Sequence, residues 1–395
     1  MISQPIAPPQ TSMTSALRRV SLSLFALLCA VPCAAAQGKP DQVYVWNSRR
    51  GEIQIKSGTI TQDDLAGVKL TDKGGKESRQ DPLNVRRVVW GDVPPSFSDG
   101  RIYFERTDYE NAVAKFRIAA TDAEARPVVQ AAARYNSTRS LLAWGANDAS
   151  RFTEAAQEAD RFLTAFPENR YVPLVRELKA RATLLSGDAK SAADEFRSLY
   201  AESDGPTKGY DFLTCARAGH AAAHAFLTAS EPDTVAAREL FSGLASKIGA
   251  QLVELDEEAP ERAELSALQE SAQLGEGYVL LATKGQARQA KTFFESRIKN
   301  KGSASQRFGA QLGYALALQS EGELQKARIQ FAKVAALDHT DRDRAARALL
   351  GMAECSKELK DSSESAADVR LWLEEIVSKY GDTPSARKAR ELLSE

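Results

Sequence analysis

The stretch "GDAKSAADEF", residues 187 to 196, returns in altered form as "TDYENAVAKF" (107 to 116), "PDTVAARELF" (232 to 241), "GQARQAKTFF" (285 to 294) and "GELQKARIQF" (322 to 331). Every copy has alanine four residues before a closing phenylalanine: Ala112 and Phe116, Ala192 and Phe196, Ala237 and Phe241, Ala290 and Phe294, Ala327 and Phe331. Positions four apart share a helix face, so the small residue lets a neighbouring helix approach while the ring fills the space toward the next unit. Gly187 suits the left-handed end of one helix and Asp188 the capping of the next. Degenerate copies at Ala155 to Ala159 and Ala367 to Leu371 complete the series, with intervals of 43, 37, 45, 53, 37 and 40 residues. A period of that size signals an array of stacked units.

Each copy follows another helical stretch, such as "PLVRELKARATLLS" (173 to 186) or "RFGAQLGYALALQS" (307 to 320). The repeating unit is therefore a helical hairpin whose buried stripe must be covered by its neighbours. The motif reads as a packing joint rather than a binding site.

The N-terminal part has a different texture. Residues 37 to 96 alternate β-branched and aromatic residues in "QVYVW", "EIQIKSGTI", "GVKL" and "VRRVVW", punctuated by Gly, Asp and Asn. The expectation is a small antiparallel meander, barrel-like, of four or five strands, with Val43 and Val45 on one apolar face and Ile53 and Ile55 on another. A unit this small is marginal alone and is expected to cap the first hairpin's open face. Pro94-Pro95 ends it, and the helical domain runs from 97 to 395.

Residues 1 to 36 read as a signal peptide: Arg18-Arg19, the apolar run "VSLSLFALLCAV" and Ala34-Ala35-Ala36, with Met13 as an alternative start. Leu28 and Pro32, just before Cys29 and Cys33, do not suit a lipidation signal, so soluble export to the periplasm or cell envelope is expected. Without the leader, 50 basic residues face 53 acidic ones. That balance, with no basic run, excludes a nucleic-acid footprint. Cys215 and Cys355 are too few for a disulfide framework and read as small buried residues. No segment of the mature chain reads as membrane-spanning.

The hairpin pattern resembles the tetratricopeptide repeat (TPR), most strongly in "ALQSEGELQKARIQFAKVAAL" (317 to 337), "LLSGDAKSAADEFRSLY" (184 to 200) and "RTDYENAVAKF" (106 to 116). Two links, "FPENRYVPLVRELKA" (166 to 180) and "YGDTPSARKARELL" (380 to 393), are similar to those of bacterial envelope members, although Gly381 stands where those have proline. The intervals exceed the family's usual length, and the early Trp and Gly of the first helix are mostly missing. The resemblance implies a mainly α fold, an α-solenoid of six to seven TPR-like hairpins preceded by the β module. It also implies a scaffold or adaptor that holds a protein or peptide in its groove without a cofactor. Arg134, Arg139, Arg181, Arg217, His220, His224 and Gln311 stand on first helices and are expected to line that groove.

Catalytic signatures are sparse. His220 and His224 stand at i and i+4 in "CARAGHAAAHAF", as paired zinc ligands do, but Ala221 replaces the usual Glu and Cys215 projects elsewhere. A metal-dependent hydrolase at this pair and a self-associating envelope component are the competing readings. The pair is also where pH is expected to alter groove charge near neutrality. "DKGGKES" (72 to 78) lacks the upstream glycine of a phosphate loop, no G-x-S-x-G occurs, and acid pairs such as Glu257-Glu258 read as solvated faces.

Overall fold

Gly187 takes left-handed backbone (φ 111°) and ends the helix Val172–Ser186, and Asp188 Oδ1 accepts from Ser191 N at 3.0 Å to start Ala189–Ala201. Asp108, Asp211 and Asp233 cap later or earlier helices by the same contact. The computed structural model describes residues 38–204, 209–299, 302–359 and 363–395. The leader falls outside them.

The fold is an α-solenoid of TPR-like hairpins behind a small antiparallel sheet. The helices pair as α1 (Pro95–Glu105) with α2 (Tyr109–Thr121), α3 (Pro127–Trp144) with α4 (Ser150–Ala165), and α5 (Val172–Ser186) with α6 (Ala189–Ala201). Next come α7 (Phe212–Thr228) with α8 (Thr234–Glu254), then α9 (Arg262–Gln273) and α10 (Gly275–Ala282), which together pair with α11 (Ala287–Lys299). Then follow α12 (Ala304–Ser320) with α13 (Leu324–Leu337), α14 (Arg342–Leu359) with α15 (Ser363–Lys379), and finally α16 (Pro384–Ser394). The widest interval is where the connection 255–261 and the break between α9 and α10 lengthen one hairpin.

The alanine and phenylalanine of each full copy are buried: Ala112, Ala192, Ala237, Ala290 and Ala327 keep no accessible surface, and Phe116, Phe196, Phe241, Phe294 and Phe331 keep 3% or less. The copy aligned on Leu371 is displaced, because Leu371 is 61% exposed while Leu373 and Ile376 face the core. The rings seat on glycines of neighbouring first helices. A Cβ built on Gly313 would come within 2.3 Å of the Phe294 ring, and one on Gly351 within 2.5 Å of the Phe331 ring. These glycines lie 19 and 20 residues after their rings, in α12 and α14. The joint thus has a third member that the alanine spacing does not reveal.

The sheet is β1 (Asp41–Asn47), β2 (Glu52–Asp64), β3 (Gly67–Thr71), β4 (Glu77–Gln80) and β5 (Val85–Val89) in the order β4-β3-β2-β1-β5. It departs from a meander in its last strand, which returns to pair with β1, and it is open rather than barrel-like, with β4 and β5 as its edges. Val43, Ile60, Val68, Leu70 and Val85 bury one face into a cluster shared with Phe97, Phe116 and Val129. Ile53 and Ile55 lie on the other face, opposite Trp46 and Tyr44, and are 52% and 55% exposed. Their expected core role fails because alternation sends them outward.

The sheet shares this cluster with the first hairpin and also extends past it. It runs along the rim formed by connections between hairpins: Asp41 meets Arg126, Asp63 meets Arg170, Leu65 abuts Gly209, and Arg86 meets Glu261 at 3.3 Å. Ile102 and Ile118 of the first hairpin stay exposed at 46% and 56%. Position 41 binds most tightly, its carboxylate accepting from Ile60 N (2.8 Å), Gly91 N (2.7 Å) and both Arg126 Nη atoms (2.7 and 2.8 Å).

Candidate functional site

First helices of successive hairpins are tied by side chains into one inner belt. Tyr135 of α3 stacks on Tyr171, the residue before α5, with centroids 4.3 Å apart and planes 8° from parallel. Arg217 of α7 makes a two-pronged contact with Glu177 of α5 (3.0 and 3.1 Å) and reaches Glu264 of α9 at 3.3 Å. His220 Nε2 lies 2.7 Å from Ser271 Oγ of α9. His224 packs edge-on to Tyr278 of α10 (5.4 Å), whose hydroxyl donates to Gly309 O of α12 at 3.0 Å. Arg344 of α14 donates to Ser305 Oγ of α12 and Asp338 Oδ2, at 3.2 and 2.7 Å.

The expected groove residues fall into four groups. Arg217, His220 and His224 sit in the belt. Arg181 and Arg139 lie beside it: Arg181 pairs with Asp382 at 3.5 Å, whereas Arg139 lies over the rings of Phe104 and Tyr135 (5.1 and 5.6 Å) with Asn136 as its polar partner and, among the described residues, no carboxylate. Gln311 donates to Gln330 of α13 at 2.5 Å and so belongs to the seam inside its own hairpin. Arg134 is half-buried, its Nε shielded and without a partner. Tyr135, Tyr171, Ser271, Tyr278 and Arg344 were not singled out from sequence. For Tyr135 and Tyr278 alone, a tyrosine on a first helix was an available signal.

His220 and His224 form an edge-to-face pair 4.6 Å apart, each also edge-on to Phe241. Each ring is partly buried. Burial, with the charges of His224 and Arg344, drives His220 well below the usual imidazole range. Burial lowers His224 to about 4, with Asp341 opposing. Charge change near neutrality, expected from the sequence, therefore does not hold for this pair. No group of three or more His, Cys, Asp or Glu able to hold a metal ion occurs among the described residues, so the pair lacks a third ligand. Cys215 and Cys355 are buried and free, with burial raising their thiols to about 12 and about 11, so neither is a reactive thiolate.

The depressed imidazoles predict an acid dependence with a definite sign. A histidine at 6.5 unfolded and lower when folded takes up protons preferentially in the unfolded chain as pH falls. The His224 contribution is intact above about 6.5 and lost toward about 4, and that of His220 is lost in the same direction. Thermal midpoints at pH 7.5 and 4.5 are expected to differ less in His224→Gln than in the wild type. An unchanged difference would mean that the ring is hydrated when folded.

A second concavity, about 530 Å³, lies between α14, α15 and α16 and is lined by Ala353, Val369, Leu373 and Leu392. Ser356, Lys357, Arg370 and Glu395 give it a polar edge. Among the described residues, no helix is long and apolar enough to cross a membrane.

No protein-family model matches the chain, and no curated protein matches it. Among solved structures, the chain is similar to a tetratricopeptide repeat protein from Parabacteroides merdae, at 13% identity over 76% of this chain and 96% of that one, with a TM-score of 0.48. It is also similar to the TPR2AB domain of yeast Sti1, solved in complex with pHSP90, at 14% identity over 76% and 96% of the two chains, with a TM-score of 0.25.

Proposed function

We propose that the chain is a non-catalytic scaffold of the bacterial cell envelope that holds a peptide or protein segment against the inner belt. The observation that carries this reading is the belt's composition: stacked and edge-on aromatics interleaved with ion pairs, on first helices that face one another. Aromatic and arginine side chains are the groups that most often anchor protein partners. Arg139, lying on two rings with no carboxylate of its own among the described residues, is the cation best placed to meet an acidic group. The leader-like N-terminus supports the export part, and the envelope part rests on the link segments at 166 to 180 and 380 to 393.

The test is a cross-linked pull-down from the envelope fraction of the native host with the wild type, Arg139→Ala and Tyr278→Ala. A protein recovered by the wild type and lost with both variants is the expected result. One retained by both variants would move the site off the belt. Recovery of nothing but the chain itself would favour self-assembly, to be followed by sedimentation.

A further inference from the structure

The end of the helical array returns to its second and third hairpins. Arg390 of α16 donates through Nη2 to Ala146 O, in the turn between α3 and α4, at 2.7 Å. Asp382, in the turn before α16, lies 3.5 Å from Arg181 of α5 and 3.1 Å from Arg342 of α14. A Cβ on Gly381 would stand 2.1 Å from Ala146 O, so the two backbones meet only because residue 381 lacks a side chain. That contact gives a physical reason for glycine where the resembling link has proline. The sheet occupies the rim made by connections between hairpins, and α16 crosses the rim made by the turns within them. The belt is bounded on both sides.

This seam differs in kind from the interfaces along the array. Neighbouring hairpins share buried apolar clusters, whereas among the described residues no such cluster joins α3, α4 or α5 to α16. What holds the seam is Arg390 on the Ala146 carbonyl and the ion pair of Arg181 with Asp382, whose side chains are 46% and 35% exposed. Contacts of that sort contribute little in water and are screened by salt. Because no buried apolar cluster among the described residues spans this seam, parting it exposes no core.

We infer that α16 is a polar clasp beside the belt: its contact with the α3–α4 turn and α5 opens and closes by flexing of the array, because the apolar cluster that joins α14, α15 and α16 keeps those three helices together. The clasp does not rest on the scaffold reading above.

Spin labels on Ser186→Cys and Lys388→Cys, in the full chain with Cys29 and Cys33 changed to serine, read the seam directly by dipolar distance measurement. Buried Cys215 and Cys355 stay unlabelled. The expected result is one short distance in low salt, with a longer population growing in molar sodium chloride and in Gly381→Ala, whose methyl meets Ala146 O. A short distance unmoved by both treatments, or a long one in every condition, overturns the clasp. Opening as expected, with no protein lost from the pull-down in Tyr278→Ala, removes the belt reading and leaves the clasp standing.

Discussion

Phe331→Ala is expected to destabilise the C-terminal hairpins by about 3–5 kcal/mol, the cost of deleting a fully buried aromatic ring and leaving a cavity. The ring has no accessible surface and packs with Leu312, Ala315, Val334 and Ala348, so it joins α12, α13 and α14 rather than lining one helix. Chemical unfolding monitored by circular dichroism measures the loss. The transition should also broaden, because an array weakened at one interface ceases to unfold as a unit. A change near zero would place the ring outside the core.

Gly351 makes this prediction sharper. In the wild type, Gly351→Ala puts a methyl 2.5 Å from the Phe331 ring, an overpacking that costs about 1–3 kcal/mol. Helix propensity returns about 1 kcal/mol of that, since alanine is the better helix former. Once Phe331 is alanine the clash is gone and only the propensity gain remains. Gly351→Ala should therefore be destabilising in one background and stabilising in the other. Additive costs would show that ring and glycine do not touch, as a double-mutant cycle requires.

That cycle also marks what was legible in the sequence. Alanine four before phenylalanine recurs on second helices, so the hairpin period and its buried stripe could be read directly. The glycine seat could not, because Gly313 and Gly351 belong to the following first helix and no short motif spans the 19 or 20 residues between partners. The same limit explains the belt. Arg217, His220 and His224 were reachable as polar residues on a first helix, whereas Tyr171, Ser271 and Tyr278 gain their place only from stacking between hairpins. Gln311 was misplaced because a first-helix amide can face its own hairpin as readily as the groove, and Gln330 claims it. The histidines' titration was misread because an unperturbed imidazole value holds in water and not behind Phe241 and Tyr278.

The sheet shows the limit at larger scale. Strand texture and the face alternation of Val43 and Val45 were plain, yet nothing local says that β5 returns to β1 or that the sheet lies along a rim. Those features come from carboxylates that reach far along the chain, Asp41 to Arg126 and Asp63 to Arg170. A sheet this small cannot supply its own stability. Its attachment to four connections between hairpins both holds it and fixes the spacing of those hairpins.

Asp41→Ala is accordingly expected to cost about 3–5 kcal/mol, the loss typical when one member of a buried ion pair is removed. Its side chain is 1% exposed and accepts from two backbone amides as well as Arg126. Removal strands the Arg126 guanidinium, 24% exposed, which the carboxylate hydrogen bond otherwise holds in its charged form. It also leaves Ile60 N and Gly91 N without their acceptor, which removes a side-chain tie from β1 to β2 and to the segment after β5 while the backbone ladders remain. Adding Arg126→Met should recover part of the loss by deleting the stranded charge, but not all of it, because the amides stay unpaired. Hydrogen exchange distinguishes the outcomes by region. Amides of β1, β2 and β5 should lose protection while those of α12 to α15 keep theirs, since among the described residues the side-chain ties of the sheet to the array run from Arg126 to Glu261. Uniform loss along the chain would mean that the sheet and the array unfold as one body. A loss below about 1 kcal/mol would mean that Asp41 is not the buried anchor its contacts make it.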